Sequence, residues 1–287
     1  DRAVESYDAN HDHPSLCADL TQLPPDVFHA EHGSPHVDVI VGGPPCQGFS
    51  IAGRRKSNDP RNALFMEFCK YIAFYKPRMF LMENVMGILS MKTESGERAI
   101  DIIMQKLAAP SAHVQYRCRI NKLYASDFGV PQNRRRVIIV GIRDDLHLTP
   151  EPIPLVIHDK AQRVPVSTVL EAEGDVDPKH FLSERAIAGI GRRKAQMKAR
   201  KHGYGAQYLK LDQPSYTIPA RYWKDGYDAL VRYSDTRIRR LTITELKRIQ
   251  TFPDTYTLVG NRKDQIMQIG NAVACEFAYW LGVYINK

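Results

Sequence analysis

Val37-Asp38-Val39-Ile40-Val41-Gly42-Gly43-Pro44-Pro45-Cys46-Gln47-Gly48-Phe49-Ser50 is the stretch on which the fold turns. A short apolar run, Val37 to Val41, stops at two glycines and two prolines. That pattern predicts a buried parallel strand ending in a tight loop. Open α/β sheets bind their ligands beyond the carboxyl ends of the strands. The prolines fix the backbone there, and the glycines allow close approach. The thiol of Cys46 stands where a nucleophile would be placed. The alternative is a small buried side chain, the usual fate of a free cysteine.

Outward from this loop, strand and helix signals alternate. Asp59-Pro60 is a helix start, and Leu64, Phe65, Phe68, Tyr71, Ile72 and Tyr75 follow at helical spacing until Pro77. Met79 to Met82 predicts a strand, Glu97 to Ala108 a helix, and Val137 to Ile142 another strand. The alternation predicts a mostly parallel sheet covered by helices. After Arg143 four prolines interrupt the pattern, and no clear period returns before Thr242-Ile243-Thr244-Glu245, a capping box. A last helix carries Val273, Phe277, Trp280, Leu281 and Tyr284 and is expected to pack back on the first domain. The expected organisation is a catalytic domain over 1–159, completed by 259–287, and a smaller domain over 160–258, with a cleft between them.

The 287 residues are 43% hydrophobic and 25% charged, the balance of a globular chain, and no run is apolar enough for a transmembrane helix. The five cysteines form no C-x-x-C pair, so a disulfide framework or zinc cluster is not expected and a reducing, cytoplasmic setting is. Net charge is +8, and Ser183 to Arg240 alone holds 14 Lys and Arg against five Asp and Glu. That clustering favours a nucleic-acid partner over a merely solvated basic face.

Two further constellations carry chemistry. Met82-Glu83-Asn84-Val85 ends an apolar run, which would bring the Glu83 carboxylate to the same sheet edge as Cys46. A glutamate in a closed, apolar site can hold a proton to donate; a capping or surface role is the plainer reading. Pro131-Gln132-Asn133-Arg134-Arg135-Arg136-Val137 leads into a strand, where Arg134 and Arg136 would share a face and could clamp a base edge or a phosphate.

Taken in order, GGPPCQGFS, MENV, PQNRRRV, RRLTITELKRIQTFPD and QIGNAV resemble five blocks of the cytosine-C5 DNA methyltransferases. The resemblance runs from about Ala18 to the C-terminus, with the basic segment as the variable region. It implies an α/β fold: a Rossmann-like, S-adenosylmethionine-dependent methyltransferase sheet with a smaller target-recognition domain. It implies that Cys46 attacks carbon 6 of a cytosine flipped out of double-stranded DNA. Glu83 would contact ring nitrogen 3 and the exocyclic amine, Arg134 and Arg136 would hold the base, and Asn84 would support the cysteine loop. Residues 47–62 resemble the mobile catalytic loop, in which Gln47, Ser50, Arg54 and Arg55 would face the DNA. Thr217, in Pro214 to Pro219, matches a threonine near the flipped nucleotide.

For the methyl donor the resemblance implies Asp19, Pro45, Asn271 and Val273. The family's opening Phe-x-Gly-x-Gly block and the acid after it have no counterpart, because the sequence begins at Asp1-Arg2-Ala3-Val4. A segment beyond this sequence, a second chain supplying it, and a pseudoenzyme are the readings of that gap, in that order, and these 287 residues are expected to bind the donor weakly. The further implications are a monomer that avoids membranes and a modification enzyme with a cognate restriction endonuclease. Two rivals stand beside this reading. One is a tRNA methyltransferase of the same fold, disfavoured because such relatives read Pro-Pro-Cys-Gln-Pro-Phe-Thr where this chain has Gly48 and Ser50. The other is a split or inactive DNA-binding relative.

Overall fold

The computed structural model describes residues 1–13, 15–45, 60–93, 96–200, 206–224 and 226–287, with backbone alone at 60–63 and 193–200. In chain order its helices are α1 (Arg2–Asp8), α2 (Pro25–Glu31), α3 (Pro60–Tyr75), α4 (Ala99–Ala108), α5 (Glu184–Arg200), α6 (Ile243–Ile249), α7 (Arg262–Asn271) and α8 (Cys275–Ile285). Its strands are β1 (Val39–Gly42), β2 (Met79–Val85), β3 (Tyr116–Tyr124), β4 (Arg135–Arg143), β5 (Leu230–Arg232) and β6 (Ile238–Arg240). Compactness divides the chain into a sheet unit, Ala18–Leu123 with Arg135–Pro154, and a second unit, Asp1–Cys17, Tyr124–Arg134 and Leu155–Lys287.

The sheet unit holds four strands in the order β1-β2-β4-β3. β1 lies parallel to β2, with Val39 opposite Met79 and Gly42 opposite Met82. β2 runs antiparallel to β4, with Met79 opposite Ile142 and Val85 opposite Arg136. The sheet is therefore less parallel than the alternation of signals suggests. The link 125–134 between β3 and β4 is too short for a helical crossover, so the chain turns back on itself there. Phe65, Phe68 and Ile72 of α3 and Ile100, Ile103 and Leu107 of α4 bury against Phe80, Met82, Val137 and Ile139. The fit is close: a Cβ on Gly42 would come within 2.7 Å of the Phe68 ring.

In the second unit Thr242 and Glu245 close the expected capping box at the start of α6. Leu246 and Ile249 of α6 pack with Ile266 and Ile269 of α7, and with Ile218, Tyr222 and Leu241. A smaller core joins Ile190 of α5 to Leu230 and Ile238 of the β5–β6 hairpin. The sequence gives little sign of α5, because Gly189 and Gly191 interrupt it and a Lys- and Arg-rich stretch follows. In α8, Phe277 meets Phe128 with ring centroids 4.9 Å apart. Phe128 lies within the expected catalytic domain, and both residues fall in the second compact unit. Among the described residues no helix is long and apolar enough to cross a membrane.

Candidate functional site

In the sheet unit the register of β2 against β4 builds the first cluster. Glu83 lies opposite Ile138, so Arg136, two residues along β4, shares its face on the diagonal. The two side chains form an ion pair, Arg136 Nε to Glu83 Oε1, with side-chain exposures of 11% and 20%. Burial holds the Arg136 guanidinium below its usual range, and the Glu83 charge opposes that. A guanidinium therefore stands beside the Glu83 carboxylate. Glu83 and Asn84 also belong to the paired strand rather than lying past its end, since β2 runs on to Val85. A Cβ on Gly43 would sit 3.4 Å from Glu83 Oε2, so the glycine lets the loop backbone lie over the carboxylate. Asn84 Nδ2 donates to Pro44 O at 3.0 Å, and Asn84 Oδ1 accepts from Val85 N at 2.9 Å.

A second cluster lies within the second unit. Arg134 precedes β4, so strand alternation does not reach it. Its guanidinium is buried and donates to Gly270 O at 3.0 Å and Ile218 O at 3.4 Å. Gln132 is fully buried; Nε2 donates to Gln250 Oε1 at 3.0 Å and Oε1 accepts from Ile218 N at 2.9 Å. Gln250 Nε2 in turn donates to Ile269 O and Ala272 O at 2.7 and 3.2 Å. These side chains knit the PQNRRR, PSYTIP, RIQTFPD and GNAV stretches together. Thr217 is exposed, in irregular chain rather than a strand, and its hydroxyl donates to Asn133 O at 3.1 Å.

A cleft of about 490 Å³ opens in the same unit, lined by Tyr7, Phe252, Tyr256, Met267, Asn271 and Ala272 among others. Its size and its mixture of rings, a thioether and amides suit a nucleoside-sized molecule. Asn271 lines it; Val273, half-buried, does not. In the sheet unit Asp19 is exposed, and Oδ1 accepts from both Thr21 N and Thr21 Oγ1. The Thr21 backbone bond, then its hydroxyl, holds this carboxyl below its usual range. Among the described residues Oδ2 keeps its acceptor capacity, which fits a role of accepting from an adenine amine. Pro45 is exposed.

Cys46, Gln47, Ser50, Arg54 and Arg55 lie outside the described residues. Of the described cysteines, Cys69 is buried, burial pushes the Cys118 thiol up to about 12, and burial raises that of Cys275 as well. Sequence reading missed Gln132, Gln250, Phe252 and Tyr256. The first three lay inside the motifs, where charged and nucleophilic neighbours drew the chemistry, and Tyr256 lies two residues past one of them.

A family model of C-5 cytosine-specific DNA methylases matches residues 1–287. The type II methyltransferase M.NlaX of Neisseria lactamica is 34% identical over 278 residues, 94% of this chain and 81% of that protein. The type II methyltransferase M.SsoII of Shigella sonnei is 35% identical over 280 residues, 95% of this chain and 68% of that protein. Among solved structures, the methyltransferase EhMeth of Entamoeba histolytica superposes with a TM-score of 0.74 at 18% identity, over 99% of this chain and 87% of that one.

Proposed function

We propose a division of labour among the residues of a chain that belongs to the C-5 cytosine-specific DNA methylase family, and that is a DNA cytosine-5 methyltransferase using S-adenosylmethionine. Cys46, as thiolate, attacks carbon 6 of a cytosine turned out of double-stranded DNA. Glu83 meets ring nitrogen 3 and the amine as charge develops, and Arg136 holds the carboxylate in place. Asn84 anchors the backbone two residues before the nucleophile. Bound S-adenosylmethionine supplies an electrophilic methyl group, for which Asp19, Pro45, Asn271 and Val273 form the binding set. Carbon 5, made nucleophilic by the new sulfur–carbon 6 bond, would take the methyl as the donor's sulfonium bond breaks to leave a neutral thioether; loss of the carbon-5 proton to solvent would then break the sulfur–carbon 6 bond and return the thiolate. Thr217 and Arg134 support the base; Gln47, Ser50, Arg54 and Arg55 face the duplex.

The observation that carries this reading is the Glu83–Arg136 pair on adjacent strands, with Asn84 bonded to Pro44 O. The functional division is a catalytic domain over 1–159 and 259–287 and a target-recognition domain over 160–258. The protein acts as a cytoplasmic monomer beside a cognate endonuclease.

The direct test offers the protein and labelled S-adenosylmethionine to duplex DNA and to tRNA. Transfer to duplex is expected; transfer to tRNA alone would replace the substrate. Asn84→Ala should slow single-turnover transfer about 5- to 30-fold, the effect of losing the part-buried hydrogen bonds with Pro44 O and Val85 N, together about 1–2 kcal/mol, with duplex affinity unchanged. A rate equal to the parent's would remove Asn84 from the cysteine loop's support.

A further inference from the structure

Thr251 stands in the left-handed region at φ 56°, a conformation foreign to a β-branched residue. It occupies the position after the C-cap of α6, and the turn around it is a complete Schellman motif. Phe252 N bonds to Lys247 O and Thr251 N to Arg248 O, both at 3.0 Å. Glycine is the residue that such a site favours, so the threonine side chain must offset backbone strain.

The hydroxyl shows what it does. Thr251 Oγ1 donates to Gln250 O at 2.7 Å and accepts from Glu276 N at 2.9 Å. Glu276 belongs to the first turn of α8, whose own N-cap, Ala274, has no side chain able to cap. Cys275 N is taken up by Gln250 O at 3.1 Å. Thr251 thus ends one helix through its backbone and caps the next through its side chain. Both neighbours lead to the cleft. Phe252 follows it directly and lines one wall, and Asn271 and Ala272, just before α8, line the cleft as well. Lys247 Nζ, donating to Asp254 O and Tyr256 O at 2.7 and 2.6 Å, pins the rest of the Phe252 wall.

We propose that Thr251 is a positioning residue for the methyl donor: its hydroxyl, capping α8 from a strained turn, fixes Phe252 against Asn271. The proposal rests on reading this cleft as the part of the donor's site that Asn271 lines. The experiment measures S-adenosylmethionine binding by calorimetry, without DNA, on the protein in its full length, together with Tm and the donor's KM and kcat on duplex.

Thr251→Gly relieves the strained φ but removes the hydroxyl, so its Tm should hold or rise while donor affinity falls about three- to thirtyfold, the span of a lost N-cap acceptor. Thr251→Val keeps the β-branch and loses the hydroxyl, and should bind at least as weakly. Thr251→Ser should restore binding to within about twofold. The donor's KM should move and kcat at saturating donor should not. Met267→Trp, which fills the cleft, should abolish donor binding. If it does, and Thr251→Gly still binds as tightly as the parent, Thr251 has no positioning role. If Met267→Trp binds normally, the cleft is not the donor's site and the proposal falls with that reading. Should Thr251→Val not fold, the glycine and serine variants decide.

Discussion

Cys46→Ser protein, incubated with S-adenosylmethionine and a duplex carrying 5-fluorocytosine, is expected to form no covalent complex. Its transfer rate on ordinary duplex should fall by roughly 10⁴-fold or more. A fluorine at carbon 5 cannot leave as a proton does, so a nucleophile bonded to carbon 6 is trapped after methyl transfer. A thiol near its ordinary pKa of about 8.5 supplies a few per cent of thiolate at pH 7, and sulfur is intrinsically nucleophilic. A hydroxyl without a base supplies almost none. Cys69 is 3% exposed and burial raises the thiols of Cys118 and Cys275, while an adduct on the exposed Cys17 would be told apart by its peptide. Duplex affinity should be nearly unchanged, since it depends on basic contacts to phosphate. A denaturing gel followed by peptide mapping reads the outcome. An adduct that persists in the serine variant would dismiss Cys46 as the nucleophile.

The route to Cys46 shows what a sequence exposes and what it hides. The apolar runs of β1, β2 and β4 were legible because buried strands must be continuous in β-branched and large side chains. The direction of β4 was not, because antiparallel and parallel strands buried on both faces read alike. Glu83 was legible as a carboxylate near a strand end, but its partner was not. The Glu83–Arg136 pairing depends on a register between residues more than fifty positions apart, and a one-residue slip would turn one of them to the other face. Arg134 illustrates the reverse. Alternation paired it with Arg136 on paper, yet β4 begins one residue later, and carbonyls of residues 218 and 270 accept from its guanidinium. Gln132 and Gln250 were silent because an amide carries no charge signature, although together they tie four motifs into one network.

Loss of one buried ion pair in the second unit should cost most in stability. Arg239 and Glu245 are both fully buried and paired in a bidentate fork, at 2.7 and 2.8 Å. Arg239 Nε also donates to Tyr233 Oη at 3.0 Å. Glu245 is saturated: Oε1 accepts from Glu171 N at 3.0 Å and Oε2 from Thr242 N at 2.9 Å, the second being half of the α6 capping box. One carboxylate thus joins β6, α6 and the chain at residue 171. Arg239→Met strands that carboxylate without a counter-charge and should destabilise the unit by about 3–5 kcal/mol. Glu245→Leu strands the guanidinium and also orphans two backbone N–H groups, so it should be at least as damaging. Arg239→Met combined with Glu245→Gln removes both charges while an amide oxygen still accepts from the backbone, and should recover part of the loss. Both tryptophans, Trp223 and Trp280, lie in this unit, so their fluorescence in a urea titration reports it directly. If Arg239→Met unfolds within about 1 kcal/mol of the parent, the buried pair is not what holds the hairpin to α6. If the double variant is no better than Arg239→Met, it is the geometry of Glu245's four bonds, and not the isolated charge, that the fold depends on.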